Sequence, residues 1–264
     1  MAQPTPRTRT FHLTMVALEW LGLILFAGLV SVIALHAAAT LLASPWWLLS
    51  VPVLLVAGFV LADLITGFGH FFADNFCSPN TFLIGHALVF RFRQHHEDPL
   101  IICGLSFREL NGGLAGLSLP WLLASLALVW QGGVGATLVA VTLTSAAFFM
   151  ASTNQIHRWA HEKAPPLVRW LQAKGLLLSP RHHAVHHKAP HDLHFCISNG
   201  WLNPLLDRMQ VWHHLADLLV ALRFPQAEES VMGHARRRVP TSVEHADMEG
   251  SAANGHGASL RHAS

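Results

Sequence analysis

Four short stretches of the sequence carry closely spaced histidines, and spacing of this kind is typical of metal sites. The chain has 20 histidines among its 264 residues, and ten of them fall in these stretches. The stretches are HFFAD at 70–74, QHHED at 94–98, HRWAH at 157–161 and RHHAVHHKAPH at 181–191. Side chains four residues apart lie on one face of a helix, and imidazole binds zinc, copper, iron and nickel alike. The pattern therefore predicts a metal centre.

The number of candidate ligands favours two metal ions over one. A protein zinc site takes about four ligands, and two ions with four or five ligands each would use most of the donors in the four stretches. A single pair of histidines one turn apart is more often a packing feature, whereas four stretches in one small chain are not. The predicted ligands are His70, Asp74, His95, His96, His157, His161, His182, His183, His186, His187 and His191. We expect Asp98, Asn154 and Glu162 to orient imidazole rings.

Apolar blocks must position these stretches. Hydrophobic residues make up 52% of the chain and charged residues 12%, against roughly 25% charged in soluble proteins, so an ordinary soluble globule is excluded. About 20 apolar residues suffice for a helix to cross a bilayer. The blocks at 14–37, 46–68, 114–130 and 133–153 predict four such spans. The expected fold is an all-α integral membrane protein with four transmembrane helices and a histidine-rich helical cap.

Lysine and arginine give the orientation of the spans. Basic residues occur before the first span, between the second and third, and after the fourth, and they are missing from the other two connections. By the positive-inside rule both termini and the cap face the cytoplasm. All four histidine stretches then lie on that one side. A formal net charge of +2 gives no reason to expect nucleic acid as a partner.

The chain divides into three parts. Residues 1–12 form a cytoplasmic N-terminal segment, 13–225 form one domain, and the polar stretch 226–264 is expected to be disordered. Within the cap we expect one helix near 165–178, placed at the membrane interface, and a second at 205–223. Four leucines of the second helix lie on one stripe, namely Leu215, Leu218, Leu219 and Leu222. Three widely spaced cysteines argue against a disulfide framework and against a thiolate metal site.

Four longer stretches carry a family resemblance. They are ADLITGFGHFFAD (62–74), FRQHHEDP (92–99), TNQIHRWAH (153–161) and SPRHHAVHHKAPHDLHFCISNGWLNPLLD (179–207). Over roughly 60–210 the chain resembles the plasmanylethanolamine desaturase family, to which a plastid phosphatidylglycerol desaturase is related. The resemblance implies a lipid desaturase domain that removes two hydrogens from a lipid chain with O2. In the ether-lipid members the product is a vinyl ether, a plasmalogen.

The resemblance also implies a cofactor, a set of site residues and partners. The cofactor is a pair of iron ions, O2 is the co-substrate, and a membrane phospholipid is the substrate, its headgroup near Arg91, Arg93 or Arg181. A cytochrome b5-like or ferredoxin-like donor must supply electrons, because the chain has no haem, flavin or iron–sulfur signature. The catalytic residues carried over are His70, Asp74, His95, His96, His157, His161, His183, His186 and His187.

The chain departs from the family pattern near the start of the third span. Leu105 and Ser106 stand where the pattern has His-Asp, Gln94 replaces a glutamate, and Gly113 replaces an acidic residue. The other stretches are intact, so these departures imply an altered surrounding of the site or an altered substrate preference.

Three other functions stay open on the sequence. Two are enzymes with the same metal centre: a lipid hydroxylase and a trans acyl-chain desaturase acting on phosphatidylglycerol. The third is a membrane metal transporter or sensor, which predicts polar side chains along the interior of the spans. The middles of the first, third and fourth spans carry no ionisable side chain, and this counts against transport.

Overall fold

The structure, a computed structural model, describes residues 6–77 and 90–225, and within these ranges the chain is helical and has no strand. The helices in chain order are α1 (Pro6–Leu42), α2 (Val51–Asn75), α3 (Phe90–Glu97), α4 (Phe107–Gln131), α5 (Val134–His161), α6 (Pro166–Ala173), α7 (Pro180–His186), α8 (Asn203–Arg208) and α9 (Val211–Ala221). Short 3-10 helices, Pro45–Ser50 and Ile101–Gly104, precede α2 and α4. The tail at 226–264, predicted to be disordered, lies outside the described residues.

Four helices are long and apolar enough to cross a membrane: Phe11–Leu42, Pro45–Asn75, Phe107–Gln131 and Val134–His161. The prediction of an all-α membrane protein with four spans is therefore confirmed. The helices continue beyond the predicted apolar blocks, because polar residues can extend a helix once its backbone leaves the hydrocarbon. In α2 and α5 these extra turns carry the histidines.

The central helix of the bundle is α5, which packs against α1, α2 and α4, while α1 also runs along α4. Residues 132–133, both glycine with φ of 81° and 87°, form the tight turn between α4 and α5. The helices α1 and α4 approach closely, since a Cβ at Gly22 would lie 2.9 Å from the carbonyl oxygen of Gly112. Small residues permit such contacts between membrane helices, and an ion pair between Glu19 and Arg108 joins the same two helices.

The cap differs from the expectation in its helices. The helix expected near 165–178 ends at Ala173. The helix expected over 205–223 is two helices, α8 and α9, because Gln210 between them adopts a left-handed conformation with φ of 51°.

The predicted leucine stripe on α9 was wrong in part. Leu218 and Leu222 are 55% and 60% exposed, and the buried face of α9 consists of Trp212, Ala216 and Leu219. Trp212 is fully buried and stacks on Phe71 of α2. Because this large ring fills the core between the cap and α2, the buried face of α9 is centred on Trp212 and not on the predicted leucine stripe.

Candidate metal centre

The ends of four helices meet on one side of the bundle and bring nine predicted ligands together. Helices α2 and α5 carry their ligands in their last turns, α3 carries an adjacent pair, and α7 with its C-cap residue carries three. The donor atoms form two groups, and within each group they lie within 4.8 Å of one another. We refer to His95, His157, His161, His183 and His187 as site A, and to His70, Asp74, His96 and His186 as site B.

Site A consists of imidazoles alone, drawn from α3, α5 and α7. The Nε2 atom of His157 lies 2.8 Å from Nε2 of His183 and 3.3 Å from Nε2 of His161. Nε2 of His187 lies 2.9 Å from Nε2 of His183. The fifth ring, His95, stands edge-on to its neighbours, with centroids 4.5 Å from His161 and 4.8 Å from His187. Five imidazoles therefore point at one small volume.

Site B contains the carboxylate. The Oδ2 atom of Asp74 lies 3.2 Å from Nε2 of His70, 3.8 Å from Nε2 of His96 and 3.9 Å from Nε2 of His186. The Nε2 atoms of His96 and His186 are 3.0 Å apart. Site B lies beside site A, since the rings of His186 and His187 have centroids 5.8 Å apart. The arrangement is a pair of adjacent donor sets, one neutral and one with a single negative charge.

The spacing of the ring nitrogens fits a bound cation. A neutral imidazole nitrogen offers either one proton or one lone pair, so Nε2 of His157 cannot serve two other ring nitrogens well. Two imidazole nitrogens that each bind one metal ion at about 2.1 Å would lie about 3.0–3.4 Å apart, according to the bond angle. The observed separations of 2.8–3.3 Å overlap the short end of this range.

Burial keeps the imidazoles neutral and ready to bind a metal. Burial, reinforced by neighbouring histidines, lowers the pKa of His95 to about 3, that of His96 to about 2 and that of His187 to about 4. A metal ligand must be deprotonated, and these rings are so at neutral pH. Both ring nitrogens of His95 are buried without a hydrogen-bond partner among the described residues. That arrangement is costly unless a cation binds there, so the residues present fit a metal centre.

Backbone carbonyls orient two of the site B imidazoles. The Nδ1 atom of His70 donates to the carbonyl oxygen of Phe195 at 3.2 Å, and Nδ1 of His186 donates to that of Leu193 at 2.7 Å. A proton on Nδ1 leaves the lone pair on Nε2, the atom that faces Asp74. Sequence reasoning missed this contribution, because every residue has a backbone carbonyl group and the residue type does not show which of them will orient an imidazole ring.

The three side chains expected to orient rings have other partners in the described structure. Asp98 accepts a hydrogen bond from a backbone amide two residues on, at 3.2 Å. Asn154 donates to the carbonyl oxygen of Leu110 at 2.9 Å, and Glu162 accepts from Arg158 at 3.0 Å. These contacts join α5 to α4 and stabilise the ends of helices, so ring orientation by these side chains was a wrong expectation.

Two of the eleven predicted ligands lie outside both groups. The Nε2 atom of His182 lies 3.0 Å from the amide nitrogen of Asn203, and the ring of His182 packs on that of His194 with centroids 4.6 Å apart. His191 hydrogen-bonds the carbonyl oxygen of His186 at 3.0 Å, and its ring stacks on His96 with centroids 4.7 Å apart. In this arrangement His191 packs on a site B ring without belonging to the donor group.

The departure from the family pattern at 105–106 has a structural role here. Ser106 is the N-cap of α4, and it forms a capping box with Glu109. The carbonyl oxygen of Leu105 accepts a hydrogen bond from Arg158 at 3.0 Å, which joins this turn to α5. Neither residue belongs to site A or site B. Both donor groups assemble without the His-Asp pair.

The fold and the two donor groups define an integral membrane protein with a histidine-rich candidate metal centre at one end of a four-helix bundle. Residues 59–226 match the family model described as the lipid desaturase domain. The chain therefore belongs to the lipid desaturase family, and it is a membrane oxidoreductase that acts on lipid. The matched region contains all nine residues of sites A and B.

Curated relatives agree with this assignment. The chain is 34% identical over 206 residues to a plasmanylethanolamine desaturase of Myxococcus xanthus, covering 74% of this chain and 72% of the relative. It is 34% identical over 212 residues to plasmanylethanolamine desaturase 1 of Mus musculus, covering 77% of each chain. It is also 36% identical over 166 residues to the chloroplastic fatty acid desaturase 4 of Arabidopsis thaliana, covering 60% of this chain and 48% of the relative. No solved structure matches the chain.

Proposed function

We propose that the protein converts an alkyl ether phospholipid into a vinyl ether phospholipid, using two iron ions held at sites A and B. The observation that carries the proposal is the convergence of nine donors into two adjacent groups at one end of the bundle. The names of the two relatives that match about three quarters of the chain favour an ether lipid as substrate.

The two sites divide the donors between the two ions. Five imidazoles of site A would hold one ion, and three imidazoles with Asp74 of site B would hold the other. Iron suits such imidazole and carboxylate donors, and when bound it supplies the means of using O2 to oxidise an unactivated carbon chain. For each double bond formed, O2 takes up the two substrate hydrogens, two external electrons and two protons, and leaves as two water molecules.

The protein's own residues exclude water and set the position of the lipid chain. His70, His157, His183 and His186 are at most 2% exposed, so bulk water does not reach the centre from their side. The position of the lipid chain relative to the metal centre decides which hydrogens are removed. Because the alkyl chain is attached to the headgroup, the rest of the chain must extend from the metal centre into the bilayer.

An apolar cavity supports a lipid substrate. A cavity of about 370 Å³ between α1, α2 and α5 is lined by residues that include Ile33, Leu55, Ser145 and Phe149. Phe149 lies two turns before His157 on α5, about 12 Å along the helix axis. One leaflet contributes about 15 Å of hydrocarbon, so the far end of a bound chain reaches the near edge of this cavity at Phe149, whereas Leu55 lies about 22 Å from His70 along α2.

The electron donor and the orientation belong to the same proposal. The cap exposes Lys163, Arg169, Lys174, Arg181 and Lys188, a basic surface that suits an acidic cytochrome b5-like or ferredoxin-like donor. Arg181 is also available to a lipid phosphate, while the side chains of Arg91 and Arg93 lie outside the described ones. By the positive-inside rule this surface faces the cytoplasm.

Lipid mass spectrometry after expression in a host without the activity tests the proposal. With iron and a working electron donor, wild-type protein is expected to produce acid-labile vinyl ethers, and His187→Ala is expected to produce none. The matched control is His214→Ala, which removes an exposed histidine of α9 outside both sites and should leave the product unchanged. An acyl double bond or an added oxygen would reassign the reaction, and unchanged lipids would overturn the desaturase proposal.

A further inference from the structure

The segment 193–200 is irregular backbone that is buried beside the membrane helices. All residues from Phe195 to Gly200 are buried. Buried amides and carbonyls need hydrogen-bond partners, and non-helical backbone at membrane depth is tolerated only where protein satisfies it. The partners of segment 193–200 therefore show what holds this backbone in place.

The first partner is Asp63, a fully buried carboxylate on α2. Its Oδ1 atom accepts a hydrogen bond from the amide of Ser198 at 2.6 Å, and its Oδ2 atom accepts one from the amide of Gly200 at 2.8 Å. Asp63 lies two turns before His70 on the same face of α2. An ionisable residue inside a membrane span is expensive, and here both oxygens of the carboxylate bind segment 193–200.

Other contacts hold the segment against α8, α5 and α2. The amide group of Asn203 bonds both the N–H and the carbonyl oxygen of Cys196, at 3.0 and 2.8 Å. The hydroxyl groups of Thr153 on α5 and Ser198 are 2.8 Å apart. A Cβ at Gly67 would lie 2.7 Å from Sγ of Cys196. The segment therefore approaches α2 so closely that only glycine fits at position 67.

The carbonyl groups at the start of the segment serve site B alone. They are the acceptors for Nδ1 of His70 and Nδ1 of His186, as described above. In site A, the Nδ1 atoms of His157, His183 and His187 are buried and have no hydrogen-bond partner among the described residues. The segment therefore sets the ring tautomers of two of the three site B imidazoles, and the described structure shows no such contact to site A.

We propose that Asp63 is a positioning residue for site B, which holds segment 193–200 against α2 so that its carbonyl groups fix the tautomers of His70 and His186. The identity of the ion in site B rests on the proposed function, whereas the positioning of the two rings does not. The residue acts about 10 Å along α2 from His70 and contacts no donor of either site.

Two variants and a matched control test this role. Asp63→Asn replaces one acceptor by an NH2 group that faces a backbone amide, and Gly67→Ala pushes Cys196 away from α2. Gly69→Ala makes the same change as Gly67→Ala on the same helix, where a Cβ would meet no atom within 4 Å. The purified folded proteins are loaded with 57Fe, the iron bound per chain is measured, and Mössbauer spectra are recorded.

Both variants are expected to bind about half as much iron as wild-type protein and to lose one of the two quadrupole doublets of its Mössbauer spectrum. Gly69→Ala should match wild-type protein. Turnover should fall by about 10–100-fold, as is usual for groups that orient metal ligands. A purely structural role would weaken both doublets together, and that result would overturn the proposal, as would variants that match Gly69→Ala.

A measurement without metal separates this proposal from the proposed function. NMR of 15N-labelled histidine should show His70 and His186 protonated at Nδ1 in wild-type protein and in Gly69→Ala, and a tautomer mixture in Asp63→Asn. Unchanged tautomers in Asp63→Asn would overturn the positioning role. If wild-type protein bound no iron while the tautomers shifted as expected, the diiron proposal alone would fail.

Discussion

Sites A and B lie side by side and are built in different ways. Site A has five neutral imidazoles on helix ends, and four of them have a buried ring nitrogen with no hydrogen-bond partner among the described residues. Site B has a carboxylate, and carbonyl groups of a fixed segment orient two of its three imidazoles. The difference leads us to expect that site B is ordered before a metal binds, whereas site A needs a bound ion to complete its order.

Removal of metal should have the largest effect and should act unequally on the two sites. An ion present at about 1,000 times its dissociation constant stabilises the fold by about 4 kcal/mol, so a chelator should abolish turnover and lower the unfolding temperature. Hydrogen exchange should show greater loss of protection in the last turn of α5, which carries only site A ligands, than in segment 193–200. Equal loss in both regions would contradict the comparison.

Substitution of the carboxylate comes next. Asp74→Asn removes the only negative charge among the nine donors, so a cation at site B loses its strongest electrostatic partner. We expect turnover to fall by more than about 100-fold, beyond the range for groups that only orient ligands. Metal analysis should show site A still occupied. Loss of all metal would mean that the two sites bind their ions together.

Within site A the individual imidazoles should differ. His157 is 1% exposed and contacts two other ring nitrogens, whereas His161 lies at the more open edge of the group. His161→Ala leaves four imidazoles, about the number that one ion needs, and should weaken metal binding about 10-fold. His157→Ala should weaken it more, as measured by competition with a chelator. Equal losses would argue against a central place for His157.

The smallest effect should come from a residue outside both sites. Ser106→Ala removes the capping box of α4, which costs about 1 kcal/mol of stability. Metal content and product should not change, because the site donors lie elsewhere. Chemical denaturation in detergent measures the loss of stability. A fall in metal content would show that position 106 still acts on the centre.

Much of the fold could be read from the sequence. Four apolar blocks of sufficient length fixed the four spans, because a helix must satisfy its own backbone in lipid. The histidines at the ends of these blocks predicted one cluster on one side of the bundle. The helices of the cap were less predictable, since the left-handed backbone at Gln210 and the packing of Trp212 on Phe71 of α2 do not follow from local periodicity.

The sequence by itself determined the donor types and the end of the bundle where they lie, because the spacing of histidines along a helix fixes a face. Only the tertiary structure decided which donor joins which site. The neighbours His95 and His96 fall in different sites, and His186 lies in site B between two residues of the same helix turn that belong to site A. Adjacent residues on a helix point about 100° apart, so the surrounding helices determine the partners that each ring meets.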